Sequence, residues 1–149
     1  MHTFEAKRRT VLGPLLGATL AVGLLAPGAA SAASPAQVSP KRGTVFAAGS
    51  QPVFKVRDGS RAARRYSMYI TISTSKKRKR NGDLRRTDIG TFASMKRRRS
   101  IHSYKPENYT FPTWFMVRPG TYYWQTYRID CRASRSCHVH SKIRSFRVQ

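Results

Sequence analysis

Acidic residues are nearly missing from this chain: six Asp and Glu stand against 29 Lys and Arg, for a formal charge of +23 over 149 residues. That scarcity removes most acid–base chemistry from consideration. The middle of the chain offers Asp83, Asp88 and Glu107, and none forms a patterned pair with another carboxylate of the kind glycoside hydrolysis needs. A Ser-His-Asp set can be drawn on paper from His102 and Asp88, but no motif positions a nucleophile. The expectation is a protein with no catalytic residues.

Cysteine is scarce as well, with Cys131 and Cys137 the whole complement. They enclose Arg132, Ala133, Ser134, Arg135 and Ser136, and in an exported chain two thiols pair naturally. His138 and His140 follow at once and, on a strand, point to the same side. The four residues can be written as a Cys2His2 zinc set, yet the spacing fits no common finger and exported thiols are normally oxidised. We expect a disulfide beside two surface imidazoles, with no metal and no cofactor.

Long apolar runs are confined to residues 11–30, preceded by Lys7, Arg8 and Arg9 and closed by Ala30, Ser31 and Ala32. A basic start, an apolar middle and a small-residue exit describe an export signal, with cleavage after Ala32. The run nearly reaches the roughly 20 residues of a spanning helix. Gly13, Pro14, Gly17, Gly23, Pro27 and Gly28 weaken it as a rigid span, and no stable membrane span is expected after cleavage. Arg8-Arg9 followed by Thr10, Val11 and Leu12 also resembles a twin-arginine signal. The expected organisation is a signal at 1–32, a linker or edge segment at 33–43 and one domain at 44–149, on a secreted or wall-associated protein.

Helical periodicity is missing from that domain, and period-2 alternation takes its place. Phe54 and Val56 alternate with Lys55 and Arg57; Tyr66, Met68, Ile70 and Ile72 alternate with Ser67, Tyr69, Thr71 and Ser73. Short strands are also expected at 44–46, at 88–92, at 104–111 with Tyr109 and Phe111 inward and Pro112 ending it, and at 143–148 with Phe146 and Val148 inward. Trp114, Phe115 and Val117 lead toward a corner at Pro119-Gly120. The segment 61–65 reads as a basic connection. Asn81-Gly82 suits a tight hairpin turn, because both residues tolerate positive φ, and equally a long loop. About seven short strands separated by turns argue for an all-β, antiparallel β-sandwich.

The run Val117-Arg118-Pro119-Gly120-Thr121-Tyr122-Tyr123-Trp124 resembles the segment that opens strand F in fibronectin type III domains. The likeness extends loosely over 39–148 to the immunoglobulin-like modules of secreted bacterial proteins, and implies a spacer or binding platform. Phe54 stands where such domains commonly carry a tryptophan, and they generally lack the two cysteines, which are too close to be the inter-sheet bridge of antibody domains. Spacing from Thr121 makes Tyr123 the corner tyrosine, whereas an inward Trp124 requires Tyr122. An indole is the larger apolar payload, so we place Trp124 in the core with Phe54, Met68, Ile70, Ile72, Tyr122 and Phe146.

What the chain has in abundance is positive charge in runs: Lys76, Lys77, Arg78, Lys79 and Arg80, then Arg85 and Arg86, then Lys96, Arg97, Arg98 and Arg99. They could form one cationic face if the intervening segment folds back, with Tyr69 and Tyr104 available for stacking. The function expected first is a secreted, non-catalytic adhesion, spacer or scaffold module with an extracellular partner. The second is an exported binder of extracellular DNA or an anionic cell-wall polymer. Arg42-Gly43-Thr44 lacks the acid of an integrin motif, and Asn108-Tyr109-Thr110 fits a glycosylation sequon. The Cys131–Cys137 ring is so small that chain entropy gives it about 2 kcal/mol before strain. Mild reductant is therefore expected to leave the domain folded by circular dichroism, and global unfolding on reduction would contradict this.

Overall fold

The computed structural model describes residues 33–87, 90–106, 118–132 and 135–149. The export signal, Asp88, Glu107, the sequon at Asn108 and the expected inward residues Tyr109, Phe111, Trp114, Phe115 and Val117 lie outside these. The described fold is all-β, with β1 Ala36–Ser39, β2 Thr44–Phe46, β3 Phe54–Arg57, β4 Met68–Ser73, β5 Thr91–Arg98, β6 Ile101–Tyr104, β7 Gly120–Ile129, β8 His138–His140 and β9 Arg144–Val148. They form one curled sheet in the order β1-β3-β6-β5-β4-β7-β9-β2, with β8 pairing β7 off that path.

Two features depart from the sequence expectation of about seven antiparallel strands. Nine strands are present among the described residues, and β2 runs parallel to β9, with Thr44 opposite Phe146 and Phe46 opposite Val148. The sheet is therefore mixed. The extra strands are short ones, β1 and β8, that the alternation test cannot separate from loop. β5 is an interior strand, longer than the one expected at 88–92: residues 91–95 pair with β4, and Lys96, Arg97 and Arg98 pair with β6. β6 begins at Ile101, earlier than the strand expected from Tyr104 onward.

The basic connection at 61–65 is a short helix, α1 Arg61–Arg65. Ser60 caps it, its hydroxyl accepting from the Ala63 N–H at 3.0 Å, while Asp58 Oδ1 accepts from the Ser60 N–H at 2.9 Å. Ala62 and Ala63 are good helix formers, and Ala63 is buried. The alternation of β4 consequently begins at Met68, and Tyr66 is 52% exposed rather than inward.

The core forms where the two ends of the curl meet. Phe54, from β3, packs edge-on against Trp124 of β7 at 5.3 Å and against Phe146 of β9 at 5.5 Å, and Tyr122 stacks on Phe146 at 5.6 Å. Met68, Ile70 and Ile72 complete the layer with no exposure. Trp124 is inward, and Tyr122 occupies the corner, its hydroxyl donating to the Arg118 carbonyl at 2.9 Å. On β1, Gln37 is buried and donates to the Trp124 carbonyl at 3.3 Å, tying the first strand over the core.

Beyond the apolar layer the inward row of β7 continues to Arg128, a fully buried guanidinium. Its Nη1 donates to Asp58 Oδ2 at 2.6 Å and to the Ala33 carbonyl at 2.9 Å, and Nε lies 3.5 Å from Asp130 Oδ2. A buried charge of this kind is tolerable because it is paired; removing one partner typically costs about 3–5 kcal/mol. His102 of β6 lies in the same region, 1% exposed, with its ring beside Asp58.

Burial holds the His102 pKa below its ordinary value of 6.5, with the Asp58 charge opposing. Above 6.5 the ring is neutral folded and unfolded; as pH falls below 6.5 the unfolded chain takes the proton first, so stability declines. His102→Leu removes a buried ionisable ring. It is expected to flatten the fall of the urea midpoint between pH 8 and pH 5, and a variant that keeps the wild-type slope would contradict this.

Candidate functional site

Two features outside the core bring chemistry-bearing side chains together. The first is the basic hairpin between β4 and β5. Arg78 bridges Leu84, the Lys79 N–H donates to the Asp83 carbonyl at 2.7 Å, and the Gly82 N–H donates to the Lys79 carbonyl at 3.0 Å. Gly82 has φ +89 while Asn81 does not enter the left-handed region. The turn is thus a three-residue loop closed by a left-handed glycine, not the two-residue turn with both residues at positive φ.

This hairpin lies on the outer side of β4 and β7 instead of projecting as a loop. The Gln125 side chain holds it: Oε1 accepts from the Leu84 N–H at 2.6 Å, and Nε2 donates to Gly82 O at 3.4 Å and to Ser141 O at 3.2 Å. Ser73 donates to the Arg85 carbonyl at 2.8 Å, and the hydroxyls of Thr74 and Thr87 are 2.9 Å apart. That cover explains why Thr71, Ser73 and Gln125, polar residues on the outward face, are buried.

Docking the hairpin delivers Asp83 to β8. His138 Nδ1 lies 2.9 Å and His140 Nε2 2.6 Å from the same carboxylate oxygen, Oδ1. A carboxylate oxygen accepts, so both rings donate to it. Asn81 Nδ2 donates to Oδ2 at 2.7 Å and fixes the other half of the carboxylate. Burial pushes the Asp83 pKa up, but the hydrogen bonds from His140, His138 and Asn81 outweigh it and hold the carboxyl below 3.8. The three side chains Asp83, His138 and His140 are the one group among the described residues whose donor atoms gather as metal ligands do, all within 4.8 Å of one another.

The imidazoles are therefore half-buried partners of Asp83 rather than free surface groups. Cys131 and Cys137 form a disulfide at the base of β8. Beside the cluster, Tyr127 stacks on His138 at 4.3 Å and on Tyr69 at 5.4 Å, and Tyr69 stacks on Phe92 at 5.1 Å. Arg86 sits 5.6 Å over the Phe92 ring. Burial, then Asp83 and Tyr69, push the Tyr127 phenol up to about 12. A cavity of about 130 Å³ opens here, lined by Thr71, Lys79, Asp83, Leu84, Arg86, Phe92 and Tyr127.

The second feature is cationic. Lys55, Ser103 and Lys96 stand in one register row across β3, β6 and β5, and Arg57, Ile101 and Arg98 stand in the next. Lys55, Arg57, Lys96 and Arg98 are all exposed. Lys96, Arg97 and Arg98 thus belong to a strand, with Arg99 in the turn after it. Phe92, Lys96 and Arg98 alternate onto one side of β5; Arg86 neighbours Phe92, and Lys96 and Arg98 lie roughly 13–20 Å further along the strand at the usual rise per residue. The remaining hairpin cations, Lys76, Lys77, Arg78, Lys79, Arg80 and Arg85, are exposed. Arg78 is partly used within the hairpin, donating to Gly82 O at 3.2 Å.

Sequence reasoning noted Lys55 and Arg57 as an outer face without pairing them to Lys96 and Arg98, since register across a non-local sheet is not written in local alternation. The Asp83 cluster was missed for the same reason; its traces were the His-x-His alternation and the Asn-Gly-Asp turn. No protein-family model matches this chain, and no curated protein matches it significantly. No helix among the described residues is long and apolar enough to cross a membrane.

Gln125→Ala strands the Leu84 N–H, at about 1–3 kcal/mol. Because the core does not depend on the amide, tryptic cleavage after Lys79 or Arg80 is expected to accelerate roughly 5- to 150-fold, with the strand spectrum unchanged. An unchanged cleavage rate would show that the hairpin is held by something else.

Proposed function

We propose that this chain is an exported, non-catalytic β-sandwich module of the immunoglobulin-like, fibronectin type III kind. It serves in adhesion or scaffolding at the cell exterior and is retained there by acidic polymers. The sandwich reading is supported by the corner hydrogen bond from Tyr122 to Arg118, the meeting of Phe54 with Trp124 and Phe146, and the passage of β5 from β4 to β6. Export is supported by the sequence at 1–32 and by the disulfide, which suits an oxidising compartment.

The observation that carries the polymer reading is a mismatch of charge. Each described acidic side chain is already engaged: Asp58 and Asp130 on Arg128, and Asp83 on His138 and His140. Lys55, Arg57, Lys96 and Arg98 have no carboxylate partner among the described residues, and their strands fix them in a two-by-two array. Phosphate or carboxylate groups along a polymer would neutralise them and release counterions, giving steep salt dependence without sequence readout. Extracellular DNA and anionic wall polymers share that chemistry.

The test is retention on DNA and on purified wall polymer across a salt series. Replacing Lys55, Arg57, Lys96 and Arg98 by Gln is expected to cut the log–log salt slope on duplex DNA by about 3 to 4. The same number of changes at Lys76, Lys77, Lys79 and Arg80 should cut it less. Equal loss from the two sets would reduce the effect to net charge, and retention indifferent to salt would end the polymer reading.

A further inference from the structure

We propose that Asp83, His138 and His140 form a binding site for a divalent first-row transition-metal ion. The site would fasten the basic hairpin to β8. Two imidazole nitrogens and one carboxylate oxygen are a borderline donor set, suited to Zn2+, Cu2+ or Ni2+ and poorly suited to Ca2+ or Mg2+, which require mostly oxygen ligands. The donors come from two separate elements, 55 and 57 residues apart in sequence, and already converge on one oxygen. An ion held at about 2.0–2.2 Å from each needs only small side-chain movements from this arrangement.

The surroundings are those of a positioned ligand set. His138 and His140 alternate on a strand and so share a face, and the Tyr127 ring fixes one imidazole from below. Asn81 orients the carboxylate through Oδ2, leaving Oδ1 for the ion, in the manner of outer partners that tune metal ligands. Gly82 leaves space for the second imidazole: a Cβ there would come within 3.1 Å of His140 Cε1. Each ring donates a hydrogen bond to Oδ1; to ligate, His138 must bare Nδ1 and His140 Nε2, so His138 keeps its proton on Nε2 and His140 on Nδ1, and any second proton on either ring leaves to solvent. Asp83 also lines the cavity that holds Lys79 and Arg86, from which water or an oxyanion could complete the coordination.

This inference is independent of polymer retention, since the exposed array on β3, β5 and β6 contributes nothing to it. The experiment titrates Zn2+ into the chelator-treated, disulfide-intact exported chain by calorimetry, with hydrogen exchange of the hairpin amides as a second readout. One equivalent is expected to bind, with exchange at 76–86 slowing on saturation, while Mg2+ and Ca2+ do neither. Asp83→Asn, His138→Gln and His140→Gln are each expected to weaken binding about a hundredfold or more, and Asn81→Ala about tenfold. Asp83→Asn keeps the side chain's shape, and its strand spectrum separates lost ligation from lost fold. Absence of saturable Zn2+ binding, binding that survives all three ligand changes, or binding that leaves hairpin exchange unaltered would each overturn the proposal.

Discussion

The register of β7 decides what this molecule can present to its surroundings. With Trp124 inward, Tyr122 and Thr126 join it, and Arg128 extends the same row past the apolar layer. Tyr123, Gln125 and Tyr127 then face out. Slipping the strand by one residue would exchange the two sets completely. The outward set is not idle surface: Gln125 receives the basic hairpin and Tyr127 carries His138, so the choice that fills the core also assembles the Asp83 cluster on the opposite side.

Arg128 has a second consequence. Placing a guanidinium in the interior draws Asp58 and Asp130 inward to neutralise it, in a chain with few acids to begin with. Asp83 is drawn to two imidazoles. The described lysines and arginines of the β3, β6 and β5 rows are left without local counter-charge, and the self-repulsion that results is relieved by salt or by an anionic partner.

The strands with clean alternation were legible in advance: Phe54 and Val56, then Met68, Ile70 and Ile72, all lie in the core. Trp124 could be placed by size alone, and with it Tyr122. The short strands β1 and β8, with three or four residues each, carry too few positions for a period to emerge. The helix at Arg61–Arg65 was obscured by its charges, although Ser60 and the two alanines were its signal. Most of the candidate site was illegible because it is tertiary. Nothing local in Asn81-Gly82-Asp83 says that the turn folds onto β7, and without that docking His138 and His140 read as plain surface residues. The parallel pairing of β2 with β9 is likewise a long-range choice, made by strand ends that neither periodicity nor turn chemistry reports.

The most direct test of the β7 register is a nuclear Overhauser map of the aromatic and amide side chains in the folded, oxidised protein. The account predicts strong contacts from the Trp124 indole to the rings of Phe54 and Phe146, together with contacts between the Gln125 side-chain amide and the Leu84 backbone N–H. Contacts from Gln125 to those core rings, with Trp124 instead approaching Leu84, would place the strand in the opposite register and contradict it.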